Sequence, residues 1–310
     1  MVGKNKNFIA SMDFGGTFLK WTLVSLADPY SRLSKKYFSK IKINSQGSAE
    51  EILGVYIGAI KTAFQVADSL KINIQGIGIS TPGPFDRDNG ISLMKHKFGA
   101  IYGVNLKKEI TTRLNLEENF PIKFIFDSTA FLTGEAFFGA AKVYNRIIGI
   151  TLGTGVGSVF MADKKIIEKG KGLPPDGGSY LYCMPYDGGI VEDKISRKAI
   201  INRYKQLGGK YSEGIDVDRI DRLAASGDRI SLEVFREFGV TLGRILRTIA
   251  LDFGAECIVF GGGISKGFYL FAEPLKMELK GIPGLKKITP GKLGDLSALY
   301  GVAWFFRPNE

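Results

Sequence analysis

The 310-residue chain is long enough for two domains of ordinary size, each with a real hydrophobic core. Hydrophobic residues make up 45% and charged residues 24%, the balance of a soluble globular protein. The net charge of +11 favours anionic ligands, but the basic residues are scattered, with pairs such as Lys35-Lys36 and Lys107-Lys108 set among apolar ones. That pattern reads as a solvated surface and speaks against a nucleic-acid partner.

Cys183 and Cys257 are the only cysteines, too few for a disulfide framework, and Cys257 sits in the apolar run Ala255 to Phe260 as a buried thiol. Met1 to Asn7 is polar and unlike a signal peptide. No stretch approaches the ~20 apolar residues of a membrane span, so a cytoplasmic protein without a membrane partner is expected.

In chain order, Phe8 to Met12 predicts a strand, Asp13 to Thr17 a tight turn, and Phe18 to Ser25 a second strand. Ala49 to Leu70 has helical apolar spacing. Ile74 to Ser80 predicts a buried strand ended by Thr81-Pro-Gly-Pro84, Asn105 to Leu114 a short helix, Pro121 to Phe126 a strand and Ser128 to Ala141 a helix. The opening pattern then returns. Arg146 to Thr151 predicts a strand, Gly153 to Gly157 a glycine turn and Ser158 to Ala162 a strand, which reads as an internal duplication of fold. Lys169 to Gly189 predicts loop. Ile195 to Leu207, Asp216 to Ala225 and Ser231 to Phe253 predict helices. Glu256 to Phe260 predicts a strand capped by Gly261-Gly-Gly-Ile-Ser265, and Leu293 to Phe305 a last helix packing back on the first lobe. Alternation of strands and helices implies α/β layers.

Three glycine turns carry the first chemical signal. In Asp13-Phe-Gly-Gly-Thr-Phe-Leu-Lys20, Gly15 and Gly16 let the backbone approach phosphate oxygens, successive amides form an anion nest, and Asp13 can hold Mg²⁺ through water. Thr17 and Lys20 can add a hydroxyl and a charge. Gly153-Thr154-Gly155 is a second such turn and Gly261-Gly262-Gly263 a third, at a strand's carboxyl end. Each alone is equally a plain hairpin or strand-to-helix turn. Three in this order, each after an apolar strand, point to a nucleotide. Asp127 follows the strand Lys123 to Phe126 and begins a helix, where it can accept a hydroxyl proton in phosphoryl transfer or serve as an N-cap.

These segments together resemble the ROK family of bacterial sugar kinases, within the actin/hexokinase superfamily, over nearly the whole chain. Asp13 to Lys20 is similar to the family's first phosphate motif and Gly76 to Pro84, with Pro82 and Gly83, to its sugar-side Pro-Gly loop. Asp127 to Glu135 resembles the segment that starts with the catalytic aspartate, Leu152 to Gly157 the second phosphate motif and Ile258 to Gly263 the adenosine motif. The resemblance implies a two-lobed α/β fold of the actin-like ATPase (ribonuclease H-like) type, with duplicated domains and a central cleft. The expected lobes are 1–126 with about 293–310, and 127–292. It implies transfer of phosphate from ATP to a hexose or hexose derivative with Mg²⁺, Asp127 as base, and a homodimer. A base that takes its proton late needs no more than a normal carboxylate pKa.

Departures cluster on the sugar side. Phe126 stands where the family has Asn, Lys97 where it has a sugar-binding Asn, and Pro175 to Ser179 where it has Gly-Glu-x-Gly-His. Asp176 can keep the glutamate's grip on a hydroxyl, whereas Ser179 cannot supply the imidazole. Glu192 matches an acidic position facing the sugar. The family's structural zinc motif aligns with Cys183 to Glu192 and retains only Cys183 among its thiols, so no zinc site is expected. His96, the only histidine, falls at the sugar rim as a contact or a loop residue. A sugar-responsive transcription factor is the first rival; Asp13 lies too near the N-terminus of this sequence to leave room for a helix-turn-helix. A kinase-like binding protein without catalysis is the second.

Overall fold

The first apolar run of the chain forms β1 (Asn7–Phe14) and turns at Gly15 and Gly16 into β2 (Phe18–Ser25). The computed structural model describes residues 7–28, 32–95, 97–210 and 214–307, and His96 lies outside the described residues. The chain forms two compact units, Met1–Gly134 with Asp295–Glu310, and Glu135–Gly294.

In the first unit α1 (Arg32–Lys36) leads to the edge strand β3 (Ser39–Lys42), and neither is marked by a clear period in the sequence. The helix α2 (Ala49–Ser69) starts at a capping box: Glu51 N–H donates to Ser48 Oγ and Ser48 N–H to Glu51 Oε2. Such a box contributes about 1 kcal/mol. The helix buries Ile52, Leu53, Tyr56, Ala59, Ile60 and Ala63 against the sheet, the face that its apolar spacing marks. Next come β4 (Asn73–Thr81), α3 (Leu106–Arg113), β5 (Ile122–Phe126) and α4 (Asp127–Phe138). The sheet order is β3-β2-β1-β4-β5, with the β1–β2–β3 pairings antiparallel and β1–β4–β5 parallel.

The second unit repeats this arrangement. Here β6 (Arg146–Leu152) turns at Gly153–Gly155 into β7 (Val156–Ala162), followed by β8 (Lys165–Ile167). The sheet is completed by β9 (Cys257–Gly261) and β10 (Lys287–Pro290), in the order β8-β7-β6-β9-β10. Strand directions match the first sheet position by position. The expected duplication is therefore one of topology, two five-stranded sheets each opening on a glycine-turned hairpin.

A short helix, α5 (Val191–Ile195), precedes the expected helix 195–207, which is α6 (Arg197–Gln206), capped by the Ser196 side chain. Then follow α7 (Val217–Ala225), α8 (Arg229–Phe253) and α9 (Phe268–Glu278), the last carrying Pro274 within it and unforeseen from sequence. Asp228 caps the start of α8, and Gly254 at φ 67° ends it in the left-handed conformation that glycine adopts without strain. The stretch 169–189 is loop apart from one 3₁₀ turn, Leu181–Cys183, and a small hairpin of two-residue strands, Pro185–Tyr186 and Gly189–Ile190. Cys257 is fully buried in β9, and burial pushes its thiol up to about 12.

The chain ends in α10 (Ser297–Trp304), shorter than expected because Gly294–Leu296 is a 3₁₀ turn. It lies on the first sheet: Ser11 Oγ on β1 donates to Leu299 O at 2.7 Å. Its close fit rests on glycines. A Cβ at Gly301 would sit 1.8 Å from Ala130 O, and one at Gly134 1.9 Å from Ser297 O, so α4 and α10 touch backbone to backbone.

Candidate active site

Three parallel strands of the first unit end side by side, and each ends on a residue singled out by the sequence. Asp13 is the penultimate residue of β1, Pro82 and Gly83 follow β4, and Asp127 follows β5. Carboxyl ends of parallel strands are where open α/β sheets bind ligands, because the chain leaves the sheet there and frees backbone groups.

Register fixes the surroundings of Asp13. It pairs across the sheet with Lys20 on β2 and with Ser80 on β4. Ser80 Oγ donates to Asp13 Oδ1 at 2.9 Å and Lys20 Nζ to Oδ2 at 3.0 Å. Lys20 also pairs with Asp295 at 3.2 Å, and Asp295 with Lys40 at 3.3 Å. Burial pulls the Lys20 ammonium down, but the Asp13 and Asp295 carboxylates outweigh it and hold it above its ordinary value. Lys20, expected to offer its charge to phosphate, is thus engaged in holding Asp13.

Gly15 is required by the turn itself, since a Cβ there would meet Phe18 O at 2.8 Å. Thr17 is exposed beside it. Lys97, expected at the sugar rim, runs along Gly16: a Cβ at Gly16 would lie 3.3 Å from Lys97 Cδ and 3.6 Å from Nζ. Gly83 faces Phe126, whose ring also carries the Arg87 guanidinium at 4.6 Å.

Asp127 opens α4, and its Oδ1 accepts the Ser128 N–H at 2.7 Å, so it does serve the helix end as well. Asp127 is exposed at this strand end although protein atoms crowd around it. Crowding by protein atoms, and then the Asp13 carboxylate, push its carboxyl up to about 6, against the opposing pull of the Ser128 N–H and the Lys97 ammonium. A normal carboxylate pKa would suffice for a base that takes its proton late; the raised one lies closer to neutrality.

In the second unit, Gly153, Thr154 and Gly155 form the turn between β6 and β7. Its shape is set by Gly153 N–H donating to Gly155 O and Arg197 N–H donating to Gly153 O. Glu192, expected to face a sugar, accepts the Val156 N–H through Oε2 at 2.8 Å and fills the space where a Gly155 side chain would stand. Gly261 ends β9. Gly262, at φ 84°, brings its Cα so close to β6 that a Cβ would lie 2.2 Å from Leu152 O, whereas Gly263 and Gly153 face open space. Asp176 and Ser179 are exposed on the loop after β8, which Ser158 ties to β7 by bonds to Gly178 and Leu181.

Ser80 and Asp295 were not foreseen. Ser80 lies within the segment Gly76 to Pro84, but its bond to Asp13 depends on strand register. Asp295 is 282 positions from Asp13, and no local pattern marks it. The Cys183 Sγ donates to Tyr180 O, and among the described residues no group of three or more His, Cys, Asp or Glu is placed to hold a metal ion. Among the described residues no helix is long and apolar enough to cross a membrane.

The pattern of the ROK family matches residues 9–308. A glucokinase of Thermotoga maritima is 25% identical over 291 residues, covering 87% of this chain and 86% of that protein. The structure of a ROK glucokinase from Streptomyces griseus with glucose and AMPPNP superposes with a TM-score of 0.74 at 22% identity, over 96% of this chain and 98% of that one. A ROK transcriptional regulator, a homologue of the E. coli MLC protein, superposes at 0.76 and 21% identity, over 96% of this chain and 77% of that one. These likenesses carry the actin-like ATPase fold, and both kinases and regulators share it.

Proposed function

The chain belongs to the ROK family, and from that premise we propose that it is a kinase transferring the terminal phosphate of ATP to a hydroxyl of a hexose or hexose derivative. The observation that carries the reading is the meeting, at the carboxyl ends of β1, β4 and β5, of a glycine turn, the held carboxylate of Asp13 and a second carboxylate, Asp127, near enough to feel the Asp13 charge. Gly15, Gly16 and Thr17 offer backbone and hydroxyl donors to phosphate. Gly153 to Gly155 and Gly261 to Gly263 are the corresponding nucleotide groups of the second unit. Pro82, Gly83, Asp176 and Ser179 are the sugar-side groups.

Asp127 orients the attacking hydroxyl and takes its proton as the bond to phosphorus forms; the phosphoryl group leaves the nucleotide with its bonding pair remaining on ADP. Positioning and charge neutralisation supply most of the rate. Mg²⁺ would neutralise phosphate charge. Both Asp13 oxygens are already bonded, so Asp13 fits a cation held through its water shell and carried in on the nucleotide, as small hard cations usually are.

The test is a panel of hexoses, amino sugars and sugar acids with Mg·ATP, read as ADP release. A second reading, a sugar-responsive binding protein, is favoured by the fit to the transcriptional regulator and by Phe126, Lys97 and Ser179 at sugar positions. It predicts saturable sugar binding with no ADP release above the rate without sugar.

A further inference from the structure

We propose that Lys97 is a catalytic residue whose ammonium binds the phosphoryl group being transferred, rather than a sugar contact; this rests on the kinase reading above. Three observations meet here. The first is position. The Lys97 stem lies along Gly16, with Cδ, Cε and Nζ all 3.3–3.6 Å from where a Gly16 Cβ would be. The charge therefore hangs over the turn whose amides face phosphate. A sugar hydroxyl activated by Asp127 must meet the phosphoryl group between that turn and Asp127, and the Lys97 charge is felt at Asp127.

The second is availability. Lys20, the other lysine at this strand end, is paired with both Asp13 and Asp295. Lys97 has no carboxylate within ion-pair distance among the described residues. A half-buried cation with no such anion lowers its energy by meeting one from solution, and a phosphate bound on the glycine turn would lie within its reach.

The third is rigidity. The next residue, Phe98, is fully buried at φ 54°, and its N–H donates to Ser45 O at 2.9 Å. Its ring packs at 5.9 Å on Tyr56, which stacks at 3.8 Å on Phe14, the residue just before Gly15. One aromatic column thus fixes the backbone of Lys97 relative to the turn it overhangs. A donor placed before the reaction needs no reorganisation during it, which is the condition for stabilising charge in a transition state. The sequence position that holds a neutral amide in the resembling family holds here a charge better suited to phosphate than to a sugar hydroxyl.

The measurement compares Mg·AMPPNP with Mg·ADP binding, by titration calorimetry, in the wild type, Lys97→Met and Lys97→Arg. Loss of a contact to the terminal phosphate should weaken AMPPNP by a factor of ~10 in Lys97→Met and leave ADP within about twofold, with Lys97→Arg restoring most of the difference. With a working sugar, kcat should fall by a factor of ~100 while the sugar KM stays within about threefold, the signature of an interaction made in the transition state. Equal AMPPNP affinities in the wild type and Lys97→Met, or a raised sugar KM at unchanged kcat, would overturn the assignment and leave the kinase reading standing. A wild type that binds neither nucleotide would refute the kinase reading, and the Lys97 role with it.

Discussion

If Asp127 is the base, the rate should follow its ionisation, and the structure says where that occurs. Crowding and the Asp13 carboxylate push this carboxyl up to about 6. The active form is the carboxylate, so kcat/KM should rise with pH and level off above neutrality. With that pKa about 9% of the enzyme is active at pH 5 and about 91% at pH 7, a roughly tenfold change. An ordinary aspartate, near ~3.9, would be about 93% ionised at pH 5, and the profile would be flat across the same range. The assay is initial rate at subsaturating sugar, with ATP and Mg²⁺ saturating at every pH. Lys97→Met should move the acid limb to higher pH, because the Lys97 ammonium is one of the groups that lower the Asp127 pKa. A limb that stays below pH 5 would refute the claim that Asp127 is both the base and raised. So would a limb near 6 that persists in Asp127→Asn.

Asp127→Asn should cut turnover by a factor of ~100 or more with ATP binding nearly unchanged, measured by steady-state kinetics and calorimetry. The same change should not lower Tm at pH 8, since the raised pKa means that ionising this group in the folded state opposes folding, and that cost disappears with the charge. Glu135→Ala should destabilise the protein by about 3 kcal/mol in denaturant titration, because its buried carboxylate accepts N–H bonds from Ala140, Lys292 and Leu293. Gly262→Ala should cost about 2 kcal/mol or more by the same measurement, as both the φ of 84° and Leu152 O oppose a side chain. Metal analysis of untagged protein should give far less than one zinc per chain; stoichiometric zinc lost on mutating Cys183 would contradict this.

The parts legible in the sequence are those with local signals. The strands before Gly15, Gly153 and Gly261 are unbroken apolar runs, and a glycine turn must follow where a Cβ would strike Phe18 O or Leu152 O. The capping box at Ser48 marks the start of α2 in sequence and structure alike. What was missed lacked such signals. The edge strand β3 is only four residues long with Ile41 its one apolar residue, too little to mark a period, and α9 carries a proline and apolar residues on several faces. At the site, residue types were readable but partners were not. Lys20 reads from sequence as a phosphate ligand, and register sets it opposite Asp13; Glu192 reads as a sugar ligand, and one of its oxygens accepts the Val156 N–H. Sequence motifs name the groups; strand register decides what each group is free to do.

The central claim is that the strand-end cluster around Asp13, Lys97 and Asp127 moves phosphate from ATP to a sugar. It is tested most directly by the sugar panel with Mg·ATP, run beside Asp127→Asn and read as ADP release with the sugar phosphate identified by mass. The wild type should phosphorylate at least one hexose or hexose derivative, with the rate lost in the variant. Saturable sugar binding with no phosphorylated product from any member of the panel would contradict it.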